Sequence, residues 1–275
     1  MPITNREFNS MSEFVEYVAG PSDVPDDERI AYATNRESWM HSANWDDAMA
    51  KVFRWDEGAA RVQAMRSKIS AGVERFRIET YRSAQLPGVV VMDDYIKGKP
   101  RPVIALKKSQ EKLPNAGKVV RIVVNAFASG GVEPEVLELR GAAVMALADA
   151  IEKRGGKCEI VIRFTTKGKH RHQVNYSITV KRPGQNLNLN SVAFAMAHPS
   201  MCRRMCFGAM EREPENVRMA IGATGNQSGF YGYPDDNAQD GEFYLPSASY
   251  RDRQWHSEDA AIAWVNNYLA DNGWV

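Results

Sequence analysis

The chain has 275 residues, of which 35 are Lys or Arg and 34 are Asp or Glu, for a net charge of +1, and 44% are hydrophobic. These values are typical of a globular protein, and they exclude collagen-like and intrinsically disordered chains. No apolar run reaches the roughly 20 residues of a membrane helix, and the first residues lack the basic-then-apolar layout of a secretory leader, so we expect a cytoplasmic protein without membrane contact.

Helix-start signals dominate the first third of the chain. Ser10 and Glu13 form a capping-box pattern that opens a short helix, and this helix stops at Gly20. Asn44 opens a second helix and Asp56 a third. We therefore predict that residues 1–96 form a helical N-terminal region packed on the core of the protein.

The segment between the first and the middle third reads as a connection. Pro87 and Gly88 interrupt the chain before the short apolar run Val89–Met92. Residues 97–118 combine basic residues with three prolines, which predicts an extended connection rather than a helix.

A buried α/β unit follows. The β-branched run Val119–Phe127 predicts a strand buried on both faces. A helix of about four to five turns is predicted next, with one apolar face made of Val136, Leu139, Ala143, Leu147, Ala150 and Ile151. Cys158–Thr166 predicts the second strand, so the unit is a right-handed βαβ motif with parallel strands. Alternation from Val174 to Lys181 predicts an antiparallel partner strand beyond a basic hairpin tip, residues 167–172.

The last third is less regular. Two helical pieces are predicted after Asn190, the second from about Ser200 to Glu211, and Val217–Ala223 reads as a buried strand. Residues 225–255 predict a long irregular or hairpin-bearing loop. Ser257 then caps a final helix.

The order of these elements resembles a known fold. The segment from Val119 to Thr166, with Arg140-Gly141-Ala142-Ala143, Leu147–Ile151 and Gly155–Val161, resembles the first strand, helix and second strand of a von Willebrand factor A-type domain. This resemblance implies an A-domain-like (Rossmann-like) α/β fold over residues 97–275, with a mostly parallel sheet, flanking helices and a long C-terminal loop.

A wider set of residues is similar to an uncharacterised family of proteins that is common in tailed bacteriophages. This set runs from Trp45 through Glu57-Gly58-Ala59 and Pro87-Gly88-Val89 to His198-Pro199-Ser200, Arg203-Arg204 and Phe207. The family has no agreed activity, so the resemblance implies a phage origin but no function.

The resemblance also points to a metal position. A-type domains hold a divalent cation with an Asp-x-Ser-x-Ser motif at the end of the first strand, because a hard ion prefers charged and hydroxyl oxygens. Here Asn125, Phe127 and Ser129 occupy those positions, and Thr224 stands where a later acid is usual. Without either acid, we expect a degenerate site kept for packing, with no metal and no cofactor.

Two other chemistries were considered. His198, Cys202 and Cys206 are four residues apart, but positions eight apart on a helix lie about 12 Å apart along the axis, so buried thiols are favoured over a zinc site. His170 and His172 carry groups that a metal-dependent nuclease would use, but no carboxylate cluster accompanies them. Other catalytic motifs are missing, so we expect no enzymatic activity.

The charges are unevenly distributed, and this asymmetry suggests a function. Residues 1–96 and 185–275 each carry a net charge of −5, whereas residues 97–184 carry +11. Such a block indicates either a polyanion partner or internal pairing with the acidic thirds. Aromatic residues in the C-terminal loop are a possible stacking surface for bases.

We therefore expect a non-enzymatic binding protein, encoded by a phage, that contacts single-stranded nucleic acid in replication or early transcription. The expected phosphate contacts are Lys107, Lys108, Lys167, Lys169, His170 and Arg171. The alternative is a protein-interaction adaptor that keeps a degenerate metal site and acts beside a ring-forming ATPase. A metal-dependent nuclease is the minor alternative.

Overall fold

The computed structural model describes residues 2–72, 80–83, 89–106, 115–168, 172–223, 232–236 and 238–274. The strands in this part of the chain are β1 (Ile3–Phe8), β2 (Thr80–Ser83), β3 (Val89–Val90), β4 (Val103–Leu106), β5 (Val119–Asn125), β6 (Lys157–Lys167), β7 (Gln173–Lys181), β8 (Tyr233–Pro234) and β9 (Glu242–Leu245). The helices are α1 (Met11–Ala19), α2 (Glu37–Met40), α3 (Trp45–Phe53), α4 (Asp56–Gly72), α5 (Met92–Ile96), α6 (Pro134–Lys153), α7 (Leu189–Ala197), α8 (Phe207–Glu211), α9 (Glu215–Ile221) and α10 (Glu258–Asp271).

The central sheet has the strand order β1-β7-β6-β5-β9, and the short strand β8 also pairs with β6. The pairs β1–β7, β5–β6 and β5–β9 are parallel, whereas β6–β7 is antiparallel. A separate antiparallel sheet has the order β2-β4-β3. The predicted α/β class with a mostly parallel sheet and flanking helices is therefore confirmed.

The βαβ unit lies at the centre of the sheet, as predicted. Strands β5 and β6 run parallel in a register that starts at Val119 and Lys157, and α6 connects them. Strand β7 returns antiparallel to β6. Continuous β-branched residues suit β5 because nearly all of its side chains are buried.

Helix α6 differs from the prediction of a single apolar face. It is buried on all sides, with 14 of its 20 residues buried, because α4, α7 and α10 surround it on the side away from the sheet. Gly141 permits the close approach of α7, since a Cβ atom there would lie 3.2 Å from the Cβ of Ala197. The fold therefore stacks a second layer of helices on the layer that contacts the sheet.

The predicted caps of the N-terminal helices are confirmed. The Ser10 hydroxyl accepts a hydrogen bond from the N–H of Glu13 at the start of α1, and the Glu13 carboxylate accepts one from the N–H of Asn9. Asn44 caps α3 in the same way, and Ser257 caps α10. Residues of this N-terminal part share one hydrophobic core with the sheet and α6, while the predicted domain boundary at residue 96 stays a prediction.

Strands β1 and β9 of the central sheet were missed, as was the two-residue strand β8. Strand β1 lies in the region predicted to be helical, and β9 lies in the segment predicted as an irregular loop. Both are short; β1 is mainly polar, and the three hydrophobic residues of β9 are too few to form the apolar run of a buried strand.

The predicted strand Val217–Ala223 is wrong, because these residues form helix α9 and its end. Pro214 precedes the helix and Glu215 lies in its first turn. Gly222 ends it in the left-handed conformation (φ 83°), and the N–H of Ala223 donates to the carbonyl of Arg218 over 2.9 Å. These signals of a helix end outweigh the apolar composition.

The two predicted helical pieces after Asn190 are present, with a change of geometry between them. Helix α7 is followed by a π-helical turn, Met201–Cys206, which continues into α8. No helix in the described part of the chain is long and apolar enough to cross a membrane.

Candidate functional site

The carboxyl end of β5, where the resemblance places a metal, holds a carboxylate network. Asn125 is fully buried; its amide Nδ2 donates to Asp236 Oδ1 over 2.9 Å, and its Oδ1 accepts from the N–H of Phe127. Asp236 also accepts from the Tyr244 hydroxyl (3.1 Å), the N–H of Ser247 (2.7 Å) and the Ser247 hydroxyl (2.9 Å). Hydrogen-bond donors therefore satisfy this carboxylate.

The same end of the sheet is closed by backbone pairing. Ala128 forms a parallel bridge with Ala248, and the N–H of Ala248 donates to the carbonyl of Phe127 over 2.8 Å. The Phe127 ring stacks on Phe164 at a centroid distance of 5.2 Å. The Ser129 hydroxyl is enclosed and has no hydrogen-bond partner among the described residues. Thr224, the fourth predicted position, lies outside those residues.

A buried guanidinium lies under this network. Arg140 is 3% exposed, and it donates to the carbonyls of Asn125 (3.2 Å) and Pro246 (2.6 Å). Burial lowers the pKa of Arg140 to about 10, and Asp252, Tyr244 and Asp236 oppose that shift. Because a positive charge and four donors already surround Asp236, the arrangement fits a hydrogen-bonded support better than a cation site. Within the described ranges, no three His, Cys, Asp or Glu side chains are placed to share a metal ion.

The three cysteines are buried free thiols, as the sequence favoured. Burial raises the pKa of Cys202 to about 11 and that of Cys158 to about 12. Such thiols stay protonated at neutral pH and act as small apolar side chains.

Arg203 and Arg204 hold the π-helical turn to the N-terminal part of the chain. Arg204 is fully buried and donates to the carbonyls of Ala31 (2.6 Å) and Ser42 (2.8 Å), while Arg203 donates to the carbonyl of Trp39. These guanidinium groups satisfy main-chain acceptors in the interior and are not placed to contact phosphates.

Part of the positive charge of residues 97–184 is paired internally. Five of the described cations lie within 4 Å of a carboxylate, namely Lys97, Lys99, Arg121, Arg163 and Lys181. Two of these pairs lie on the sheet, where Arg121 contacts Glu159 (2.9 Å) and Arg163 contacts Glu242 (2.7 Å). Internal pairing therefore accounts for part of the positive charge of this block.

The remaining cations include a cluster at the amino ends of β5 and β6. We define the amino-edge cluster as Lys118, Lys153 and Lys157, all exposed and without a carboxylate partner in the described part of the chain. The N–H of Lys157 donates to the carbonyl of Lys118 over 2.9 Å, and Lys153 lies in the last turn of α6. That position suits a cation because the helix dipole places negative charge there. This cluster was not predicted, although a lysine stands at the start of each strand of the βαβ unit.

Of the predicted nucleic-acid contacts, Lys167 is described. It ends β6, at the opposite end of that strand from Lys157, and ten residues of strand separate the two by about 33 Å. Next to the hairpin tip, His172 Nε2 lies 3.0 Å from the Thr4 hydroxyl. Lys107, Lys108, Lys169, His170 and Arg171 lie outside the described residues.

A polar sheet face connects the two ends of β6. We define the polar face by Arg121, Glu159, Arg163, Thr165, Asn175 and Ser177, whose neighbours along the strands point into the helical layers. A pocket of about 130 Å³ lies on it, lined by Arg121, Arg163, Thr165 and residues of β1 and β7. The helices α1, α6, α7 and α10 contact the opposite face or its edge.

A larger pocket, of about 460 Å³, lies among the helices. It is lined at the end of α3 by Lys51 and Arg54, at the start of α4 by Trp55, and at the end of α7 by His198. We call it the helical-layer pocket; it was not predicted, because the residues that line it are distant in the sequence.

One family comparison covers nearly the whole chain. The family described as "Domain of unknown function (DUF7192)" matches residues 2–274. The chain belongs to this family. No curated protein and no solved structure matches it.

Proposed function

We propose that this DUF7192 protein is a non-enzymatic binding protein that contacts single-stranded nucleic acid, in a phage replication or early transcription context. The observation that supports this proposal best is the amino-edge cluster. Three exposed lysines, for which the described residues supply no carboxylate partner, lie where β5 and β6 begin and α6 ends, and a polyanion gains affinity from releasing counterions at such a surface.

The position of the cluster supports an extended ligand. Lys157 and Lys167 lie at opposite ends of β6 and, by strand alternation, on its polar face. Arg163 and Thr165, which lie between these two lysines, are buried, so a polymer that contacts both ends passes over the residues that cover this part of β6, whereas a compact anion contacts only one end. Single strands suit such a path because their phosphates can follow a groove while polar side chains contact sugars and bases.

The fold is consistent with a binding role. Strand β5, helix α6, strand β6 and antiparallel β7 have the order on which the resemblance to an A-type domain depends. We propose that the protein has such a core, with the metal position replaced by the network around Asp236.

The test is the binding of labelled single-stranded and double-stranded oligonucleotides, followed by fluorescence anisotropy at several salt concentrations. We expect salt-sensitive binding that favours the single strand. The triple variant Lys118→Gln, Lys153→Gln, Lys157→Gln should lower the slope of log affinity against log salt by about 2, since each phosphate contact contributes roughly 0.7 on single strands.

The matched control removes three lysines that are already paired with carboxylates, with the substitutions Lys68→Gln, Lys97→Gln and Lys99→Gln. This control changes the net charge equally and should keep the wild-type slope. A second variant neutralises Lys107, Lys108, Lys167, Lys169 and Arg171 and tests the contacts expected from the sequence. Equal losses in the cluster variant and the control would overturn the proposed surface.

The second candidate is a protein-interaction adaptor beside a ring-forming ATPase. The balanced charge of the polar face favours it, because Arg121 and Arg163 are neutralised by Glu159 and Glu242. If no oligonucleotide binds even at low salt, this candidate is tested by co-sedimentation with the ATPase. Ser177→Trp on the polar face should then abolish the complex, and the triple lysine variant should retain it.

A further inference from the structure

The helical-layer pocket contains a buried histidine with a fixed proton position. His198 is 4% exposed, its ring stacks on Phe194 at 4.8 Å, and it meets the edge of Trp55 at 4.7 Å. Its Nδ1 accepts the N–H of Ser200 over 3.0 Å, so in the neutral ring Nε2 carries the proton. Within the described residues, Nε2 has no hydrogen-bond partner.

The cations around this histidine differ in whether a carboxylate accepts their hydrogen bonds. Arg61 donates through two nitrogens to Glu138, at 2.7 Å for the closest pair, and Lys51 donates to Asp47 over 2.7 Å. The Arg54 guanidinium, by contrast, has no carboxylate partner in the described part of the chain. Arg54 and His198 therefore offer free donors to the pocket.

The lining has as many carboxylates as Lys and Arg side chains, but two of the three carboxylates are already engaged in hydrogen bonds. Glu138 is engaged by Arg61, and Asp56 accepts the Asn190 amide over 3.1 Å. Glu57 alone among the described lining acids lacks a hydrogen-bond partner. Arg54, the second terminal nitrogen of Arg61 and the His198 ring supply more free donors than this carboxylate accepts.

We propose that the helical-layer pocket binds a small ligand through an anionic oxygen group, a phosphate or a carboxylate. The Nε2–H of His198 donates to that group from the floor of the pocket, and Arg54 donates from the rim. Trp55 supplies an apolar wall for the remainder of the ligand. The volume of about 460 Å³ is typical of small-molecule sites.

The test follows the assigned imidazole nitrogen resonances of His198 by NMR during separate titrations with inorganic phosphate and acetate. We expect the His198 resonances to shift in a saturable way with at least one anion. The anion that binds more tightly identifies the ligand group. Arg54→Gln should weaken this binding about tenfold, since a charge-assisted hydrogen bond is lost.

The control is Arg251→Gln, which removes an exposed arginine that contacts Tyr250 away from this pocket. It should bind like the wild type. The proposal is overturned if neither anion gives a saturable shift, or if Arg54→Gln binds as tightly as Arg251→Gln. Both variants lie at exposed positions, so folding is preserved. Because the amino-edge cluster is unchanged in both, the outcome is independent of nucleic-acid binding.

Discussion

The two faces of the central sheet use the same strands for different purposes. On the helical face, Ile122, Ile162 and Ile178 are fully buried against helices, and the core continues through α6 into a second helical layer. On the polar face, Glu242 forms ion pairs with Arg121 and Arg163, and Asp236 accepts hydrogen bonds from neutral donors. The helical face therefore contributes most of the apolar burial, although Val123 and Val161 of the other face are also fully buried.

The largest expected effect is a difference in the free energy of unfolding between substitutions at two adjacent residues of β7, one on each face of the sheet. Ile178→Ala should lower the free energy of unfolding by about 2–5 kcal/mol, because it leaves a cavity in a packed core. Ser177→Ala on the polar face should change it by less than about 0.5 kcal/mol. Denaturant unfolding of both variants measures the difference. Similar losses at the two positions would contradict a division of roles between the faces.

The helical face is also the part of the fold that the sequence predicted best. Its elements are determined by residues close together in the sequence, so local patterns are enough to predict them. These patterns are the run Val119–Phe127 and the caps at Ser10, Asn44 and Ser257. Strands β1 and β9 are short, and they become strands only because the sheet supplies their partners.

The candidate sites were predictable only in part, for a similar reason. The positions Asn125, Phe127 and Ser129 followed from the end of a predicted strand, but Asp236 is 111 residues away in the sequence from Asn125. No local pattern pairs such residues. The amino-edge cluster follows from the register of β5 and β6, so a lysine before each predicted parallel strand was the available signal.

Acid should weaken the helical layers before it weakens the polar face. Burial lowers the pKa of His198 from 6.5 to about 3, with Lys51, His41 and Arg61 acting in the same direction and Asp47 against it. The unfolded chain therefore binds a proton that the folded chain excludes below pH 6.5. The free energy of unfolding should fall by about 1.4 kcal/mol per pH unit from pH 6.5 towards 3.

On the polar face, the loss of stability with falling pH starts at a lower pH. Burial acts to raise the pKa of Glu242, but hydrogen bonds from Arg163 outweigh it and lower the pKa below 4.5. The stabilisation that ionised Glu242 gives the folded chain is present above pH 4.5. It is lost as the pH falls through the pKa of Glu242 in the folded state. Between pH 7 and pH 5, the free energy of unfolding should therefore depend less on pH in His198→Gln than in the wild type. Its dependence on pH should be unchanged in Glu242→Gln and in the exposed control His256→Gln. If the free energy of unfolding of His198→Gln depends on pH as strongly as that of the wild type, acid does not weaken the helical layers first.

The smallest expected effect tests the polar face at the carboxyl end of β5. Asn125→Asp places a second carboxylate where Nδ2 now donates to Asp236, and it should lower the free energy of unfolding by about 1–2 kcal/mol through like-charge repulsion. Two carboxylates there form a ligand pair for a hard cation, so added Mg²⁺ should restore part of the melting temperature. The double variant Asn125→Asp, Asp236→Asn keeps one carboxylate and should melt above the single variant without responding to Mg²⁺. A stable, metal-insensitive Asn125→Asp variant would contradict the expected repulsion between the two carboxylates and their pairing on a cation.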